Sequence, residues 1–107
     1  MKFFHFDQNN SFGEFKGPAK HVVVEAKNAT DANVRAEELG LYFNGVHTGS
    51  DCPCCGDRWY RKWVSEEGDD VPKVYNAPVV FDFVGDPYVL VLYANGVKRM
   101  GVEDRNY

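Results

Sequence analysis

The sequence lacks a long apolar run, an excess of basic residues and a spread of cysteines. No stretch approaches the roughly 20 apolar residues of a membrane span, and the start of the chain, Met1–Asp7, is too short and too polar for a signal peptide. Sixteen acidic residues outnumber twelve basic ones and give a net charge of −4. Nucleic acids are bound through cationic faces, so this charge disfavours DNA or RNA as a partner. We therefore expect a cytoplasmic protein with no membrane partner.

The bulk composition is that of one globular domain. Of the 107 residues, 44% are apolar and 26% are charged, which is ordinary for a folded domain and argues against disorder. A chain of this length predicts a single domain over residues 1–107. The sequence patterns typical of nucleophilic, phosphate-binding and zinc-protease active sites do not occur, so nothing in the chain argues for an enzyme.

A helical period in one segment predicts a single α-helix. Alanine and leucine recur there with spacings of three and four residues between positions 29 and 39. Thr30 is the expected N-cap, and Gly40 stands where a left-handed residue would end the helix. The prediction is one helix over about residues 30–40, packed on a sheet.

Runs of alternating or β-branched residues predict the strands. The Asn95-Gly96 pair between two such runs predicts a C-terminal β-hairpin. The expected fold is therefore α+β, with a mainly antiparallel sheet of about five to six strands and the helix on one face. The runs expected to form strands are Lys2–Asp7, His21–Ala26, Arg58–Val64, Val79–Val84, Tyr88–Tyr93 and Val97–Val102, and Leu41–Phe43 is a further short one.

All three cysteines lie in one short segment, Asp51–Trp59, with the sequence D-C-P-C-C-G-D-R-W. Cys52 and Cys55 match the pattern C-P-x-C-G, which is half of a zinc-ribbon site in which two thiolates on one tight turn bind the metal. His47, five residues before Cys52, is the nearest candidate for a third ligand. We therefore predict a zinc site formed by Cys52, Cys55 and His47.

The remaining ligands of this site stay open, and so does its chemistry. Two chains can share one ion as a homodimer, each giving Cys52 and Cys55. Without a metal, the thiols are structural groups in a tight turn, or a redox site, since C-P-x-C also occurs in thioredoxin-like proteins. The redox interpretation lacks the usual context, because a β-like run follows the cysteines instead of a helix. Other candidate zinc ligands are His5, His21, Asp51 and Asp57.

The run after the cysteines interleaves aromatic and basic residues. Tryptophan, tyrosine and arginine dominate the energetics of protein interfaces, so this run predicts a surface that binds a partner protein. The same pattern fits a surface for single-stranded nucleic acid, or an amphipathic strand whose tryptophans enter the core. An acidic loop at residues 66–70 adjoins it. The predicted partner-binding residues are Trp59, Tyr60, Arg61 and Trp63.

A polar loop near the N-terminus is a candidate site for a small ligand. Gln8, Asn9, Asn10 and Ser11 follow an aromatic strand, and their side chains can hydrogen-bond a polar molecule while phenylalanine rings stack on it. Turn-forming residues explain the same composition as a solvated loop tip.

Four stretches of the chain resemble small, mostly uncharacterised proteins of tailed bacteriophages. They are Phe4–Ser11, Val24–Ala26, Gly40–Phe43 and Asp51–Trp59, within about the first 60 residues. The resemblance implies the cytoplasm of an infected bacterium. It also implies a small accessory protein that binds and inhibits or redirects a bacterial host or defence protein. The alternatives are a protein that binds a nucleotide signal and a thiol redox protein.

Overall fold

The computed structural model describes residues 1–9 and 15–104, which form a mixed six-stranded sheet and two helices. The strands are β1 (Lys2–Asp7), β2 (His21–Ala26), β3 (Lys73–Val74), β4 (Ala77–Val80), β5 (Val89–Leu92) and β6 (Lys98–Glu103), and the helices are α1 (Ala29–Glu38) and α2 (Gly45–Thr48). The strand order is β1-β2-β5-β6-β4-β3. β2 and β5 are parallel, and the other neighbours are antiparallel. The predicted α+β class is therefore confirmed.

The sheet buries apolar residues on both faces, because side chains alternate between the faces along each strand. One face packs against the alanines of α1, and the other against residues from the second half of the chain. The first cluster includes Phe4, Phe6, Val22, Val24, Leu90, Leu92, Ala29, Ala32 and Ala36. The second includes Phe3, Val23, Val89, Val91, Val74 and Val79.

α1 is capped two residues earlier than the sequence predicts. The side chain of Asn28, not that of Thr30, is the N-cap, and its Oδ1 accepts a hydrogen bond from the Asp31 amide at 2.8 Å. At the other end Gly40 has φ of +102°, and the Leu41 amide donates to the Ala36 carbonyl, as in a Schellman motif.

Among the residues that the structure describes, neither helix has the length and the apolar character that a membrane span requires.

β5 and β6 pair along residues 89–92 and 98–101, and the turn between them is wider than the two-residue loop predicted at Asn95-Gly96. The Tyr93 amide donates to the Val97 carbonyl at 2.8 Å, so three residues form the loop. Gly96 takes the left-handed conformation with φ of +90°, which suits a three-residue loop.

Residues 58–64 do not form the predicted strand. Of these residues, Trp59 alone makes bridges, one with Gln8 and one with Phe43. β1 is the outermost strand on its side, and residues 58–69 run along its free edge without joining a continuous ladder. The predicted strand at 41–43 is likewise reduced to the single bridge at Phe43.

The other end of the sheet curls back toward β1. β3, the outermost strand on the opposite side, contacts β1 and β2. Asp69, just before β3, exchanges two backbone hydrogen bonds of 2.8 Å with Phe3, and Asp70 forms an ion pair with Lys2. The edge of β1 is therefore covered at two points, near Trp59 and at Asp69.

Candidate functional site

Trp59 lies in the core, which contradicts its predicted place on a partner-binding surface. It is 1% exposed and belongs to the cluster between the sheet and α1. Gly17 packs against the indole: a side-chain carbon at Gly17 would lie 3.2 Å from Cζ2 of Trp59. The indole therefore anchors residues 58–69 to the domain and is not available to another protein.

The other three predicted partner-binding residues lie together on the surface. Trp63 is 70% exposed and Tyr60 is 53% exposed. Both line a cleft of about 180 Å³ with Arg61, which is also exposed. We call Tyr60, Arg61 and Trp63 the aromatic surface.

Side-chain hydrogen bonds fix the backbone beneath the aromatic surface. Asn33 on α1 accepts from the Lys62 amide at 2.7 Å and donates to the Lys62 carbonyl at 2.9 Å. Beyond it, the Trp63 amide donates to the Glu66 carboxylate at 2.6 Å, and the Glu66 amide donates to the Trp63 carbonyl at 2.9 Å. These bonds satisfy backbone groups that have no ladder partner, so the segment is held without being a strand.

Two carboxylates brace the cysteine loop. Asp51 accepts hydrogen bonds from the Arg58 amide at 2.8 Å and from the Tyr42 hydroxyl at 2.9 Å. Asp57 accepts from the Val46 amide at 2.9 Å and so ties the loop to α2. Asp51 and Asp57, which the sequence analysis named as further candidate zinc ligands, therefore hold the loop in place.

The cysteines themselves form a tight turn. The amides of Cys55 and Gly56 donate to the Cys52 carbonyl at 3.1 and 3.2 Å. Gly56 has φ of +83°, a conformation that favours glycine. The Asn9 side-chain amide donates to the Cys55 carbonyl and ties this turn to the end of β1.

The three thiols cluster, with Cys54 in the middle. The Sγ of Cys54 lies 2.7 Å from that of Cys52 and 3.5 Å from that of Cys55. Cys52 and Cys54 are exposed, and Cys55 is partly buried. The hydrogen bond between Cys52 and Cys54 lowers the pKa of Cys52 and raises the pKa of Cys54 to about 11. Cys54, which the C-P-x-C-G pattern leaves out, is therefore the central thiol.

His47 does not complete a metal site with these thiols. It is exposed in the last turn of α2. Among the residues that the structure describes, no group of three or more His, Cys, Asp or Glu side chains is arranged to hold a metal ion. Zinc binding by Cys52, Cys55 and His47 therefore stays a prediction. If two chains share one ion, each chain needs to supply only two ligands.

The side-chain amides of Gln8 and Asn9 are hydrogen-bonded within the protein. Gln8 is 9% exposed, its Nε2 donates to the Lys16 carbonyl at 2.9 Å, and its Oε1 accepts from the Lys16 amide at 2.7 Å. Asn9 holds the cysteine turn. These two predicted ligand contacts therefore have structural partners, and Asn10 and Ser11 lie outside the described residues.

A pair of histidines lies on the sheet face opposite α1. His5 Nε2 and His21 Nδ1 are 2.9 Å apart, so one imidazole donates a hydrogen bond to the other. The ring of Tyr75 meets both edge-on, and its hydroxyl donates to Asp7 at 2.5 Å. Burial lowers the pKa of His5 from its ordinary 6.5 to about 4, and burial also lowers the pKa of His21. The sequence named His5 and His21 only as candidate zinc ligands and did not predict that they form a pair.

Tyr75 reaches the histidines from an unusual backbone position. Tyr75 and Asn76 have φ of +55° and +99° and form the two-residue turn between β3 and β4. Such turns favour asparagine and glycine at both positions, so a tyrosine is held there against its preference. Conformations of this kind cluster at functional sites. The hydrogen bond to Asp7 raises the pKa of Tyr75 to about 12.

A cleft of about 280 Å³ opens beside the histidine pair. Glu103 Oε1 lies 3.9 Å from His21 Nε2 and accepts a hydrogen bond from the Tyr88 hydroxyl at 3.3 Å. The Lys20 ammonium lies over the Phe15 ring, 5.0 Å from its centre. The cleft therefore combines aromatic rings, a carboxylate and a cation. Its lining residues are Gln8, Phe15, Lys20, His21, Tyr75 and Glu103.

These features define a small α+β domain with an exposed aromatic surface, a three-thiol loop and a cleft beside a histidine pair. The chain belongs to the family described as a domain of unknown function (DUF7296), whose model matches residues 1–106. Comparison with curated proteins and with solved structures gave no match.

Proposed function

We propose that the protein is a non-enzymatic binding protein that contacts a bacterial protein through the aromatic surface. The observation that carries this proposal is the 70% exposure of Trp63, beside Tyr60 and Arg61 around one cleft. Burial of large aromatic side chains is favourable, and tryptophan, tyrosine and arginine are the residues enriched at the energetic centres of interfaces. The cleft offers room for one apolar side chain of the partner.

The fixed backbone supports the same proposal. A binding residue on a mobile loop loses conformational freedom when it binds, and this loss weakens the complex. Asn33 and Glu66 already hold Lys62 and Trp63 in place through four hydrogen bonds. The backbone that carries the aromatic surface is therefore held at Lys62 and Trp63 before any partner arrives.

The setting of this binding rests on the resemblance to small phage proteins over about the first 60 residues. That resemblance supports the cytoplasm of an infected bacterium as the place of action. It also supports a host or defence protein as the partner, whose activity is inhibited or redirected by the contact.

The test compares two exposed positions. We use tagged wild-type protein and the tagged variants Trp63→Ala and Val84→Ala to capture proteins from a bacterial lysate. The partner that the wild type captures is then purified, and its affinity for each of the three proteins is measured by titration. Val84 is fully exposed and lies outside the lining of the cleft, so it serves as the control. We expect Trp63→Ala to weaken binding by about tenfold or more, since an interface centre contributes about 2 kcal/mol or more, and Val84→Ala to bind normally. A Trp63→Ala protein with unchanged melting temperature and unchanged affinity would contradict the proposal.

The cleft beside the histidine pair supports a second candidate function, the binding of a small polar ligand such as a nucleotide signal. The rings of Phe15 and Tyr75 can stack on a base, and Lys20 and Glu103 can pair with its polar groups. A thermal-shift panel of nucleotides tests this, because a ligand at 100 times its dissociation constant stabilises the fold by about 2.7 kcal/mol. We expect Lys20→Ala to lose the shift and Lys98→Ala, an exposed lysine outside the cleft, to keep it. The absence of a shift across the panel would refute this candidate.

A further inference from the structure

We infer that Cys52 and Cys54 form a dithiol–disulfide pair, while Cys55 stays outside the bond. The inference is independent of the proposed protein binding. The two sulfur atoms are 2.7 Å apart, closer than the 3.5 Å between Cys54 and Cys55. The pair Cys52 and Cys54 differs from the pair that the pattern C-P-x-C-G predicts, which is Cys52 and Cys55.

The backbone favours this pairing over the one between adjacent cysteines. A bond between Cys54 and Cys55 closes a ring over a single peptide unit and forces that peptide away from its planar trans form. A bond between Cys52 and Cys54 spans Pro53, whose ring already fixes φ. The hydrogen bonds from the amides of Cys55 and Gly56 to the Cys52 carbonyl keep the turn closed while the sulfurs react.

Solvent exposure also distinguishes Cys52 and Cys54 from Cys55. Cys52 and Cys54 are exposed to small oxidants, whereas Cys55 is partly buried and its carbonyl is bound by Asn9. The loop is braced at both ends by Asp51 and Asp57, so oxidation changes the turn without releasing it. Accessible thiols held side by side are typical of reversible redox sites.

The reaction needs an oxidant, and its chemical class is a low-molecular-weight disulfide. The thiolate of one cysteine attacks a sulfur of that disulfide, forms a mixed disulfide and displaces one thiolate. The thiolate of the other cysteine then attacks the protein sulfur of the mixed disulfide and displaces the second. The protein dithiol loses two electrons and two protons, and the co-reactant becomes two free thiols that take up both protons.

The test titrates the full chain with oxidised glutathione and follows intact mass. The wild-type protein and Cys55→Ser should each lose the mass of two hydrogen atoms without a lasting glutathione adduct. Cys54→Ser should instead accumulate a glutathione adduct on Cys52, because its resolving thiol is absent. Melting temperatures of the reduced variants serve as the folding control, and Cys54→Ser, at an exposed position, should change little.

Two outcomes would overturn the assignment. One is an internal disulfide that forms in Cys54→Ser as fast as in the wild type, since this would identify Cys52 and Cys55 as the pair. The other is a wild-type protein that carries zinc in native mass spectrometry and forms no internal disulfide even after a chelator removes the metal. The first outcome would support the pairing of Cys52 with Cys55 that the sequence pattern predicts. The second would show that the loop is a metal site without redox chemistry.

Discussion

At the scale of single residues, spatial neighbours set the chemistry of this protein. His5 and His21 belong to no motif, but the register of β1 and β2 places Asp7 opposite His21 and brings both imidazoles to one face. The period of β1 could be predicted from the sequence, whereas its partner strand and register depend on packing. Similarly, the cysteine pattern predicts a tight turn but not that Cys54 is its central thiol.

The buried histidine makes stability depend on pH. In the unfolded chain His5 takes up a proton near pH 6.5, but in the folded protein only near pH 4. The unfolded state therefore binds more protons between these values, and the free energy of unfolding falls as the pH falls through this window. Below about pH 4 both states are protonated and the contribution stops changing. His5 accounts for a loss on the order of 2 kcal/mol, allowing for its partial exposure.

His5→Gln should reduce this loss. Urea unfolding of the wild type and the variant, from neutral pH to about pH 4, measures it. His47→Gln is the matched control, since His47 is exposed on α2, and it should lose stability as the wild type does. Equal pH dependence in His5→Gln and wild type would show that His5 is protonated in the folded protein over this window.

At the scale of elements, the sequence predicts those strands that have their own apolar pattern and a ladder partner. β1 and β2 have the predicted bounds, Lys2–Asp7 and His21–Ala26. Residues 58–64 have a β-like pattern, but their backbone groups are satisfied by side chains such as that of Asn33. β3 is two residues long, too short for any periodicity to mark it.

Asn33→Ala should loosen the aromatic surface without removing any of its side chains. Two hydrogen bonds to Lys62 are lost, and we expect the free energy of unfolding to fall by about 1–3 kcal/mol. Amide hydrogen exchange should quicken at Lys62, and affinity for the partner should fall. Thr30→Ala, at an exposed position of the same helix, is the control and should change none of these three quantities. Unchanged exchange at Lys62 in Asn33→Ala would mean that the two hydrogen bonds from Asn33 do not hold the segment.

At the scale of the whole molecule, the sheet brings the two halves of the chain together. β5 and β6, from the second half, lie between β2 and β4, so the fold needs contacts between distant segments. Gly101 lies where β6 passes β4: a side-chain carbon there would be 2.6 Å from the Val80 carbonyl oxygen and 2.8 Å from a methyl of Val79. This close approach explains a glycine in the middle of a strand.

Gly101→Ala should therefore destabilise the entire domain. Overpacking of this kind costs about 1–3 kcal/mol, and the effect should appear as a lower melting temperature with one cooperative transition. Met100→Ala, at the neighbouring exposed position of β6, is the control and should have a smaller effect. A Gly101→Ala protein as stable as the wild type would show that β4 and β6 are packed less closely than these distances indicate.

We propose different roles for the two tryptophans: Trp59, which is buried, anchors residues 58–69, and Trp63, which is exposed, binds the partner. Iodide quenching of fluorescence tests it in two single-tryptophan variants. Trp59→Phe, which keeps Trp63, should emit at longer wavelength and be strongly quenched. Trp63→Phe, which keeps Trp59, should emit at shorter wavelength and resist quenching. Strong quenching of Trp59 together with protection of Trp63 in the folded monomer would contradict this assignment of roles.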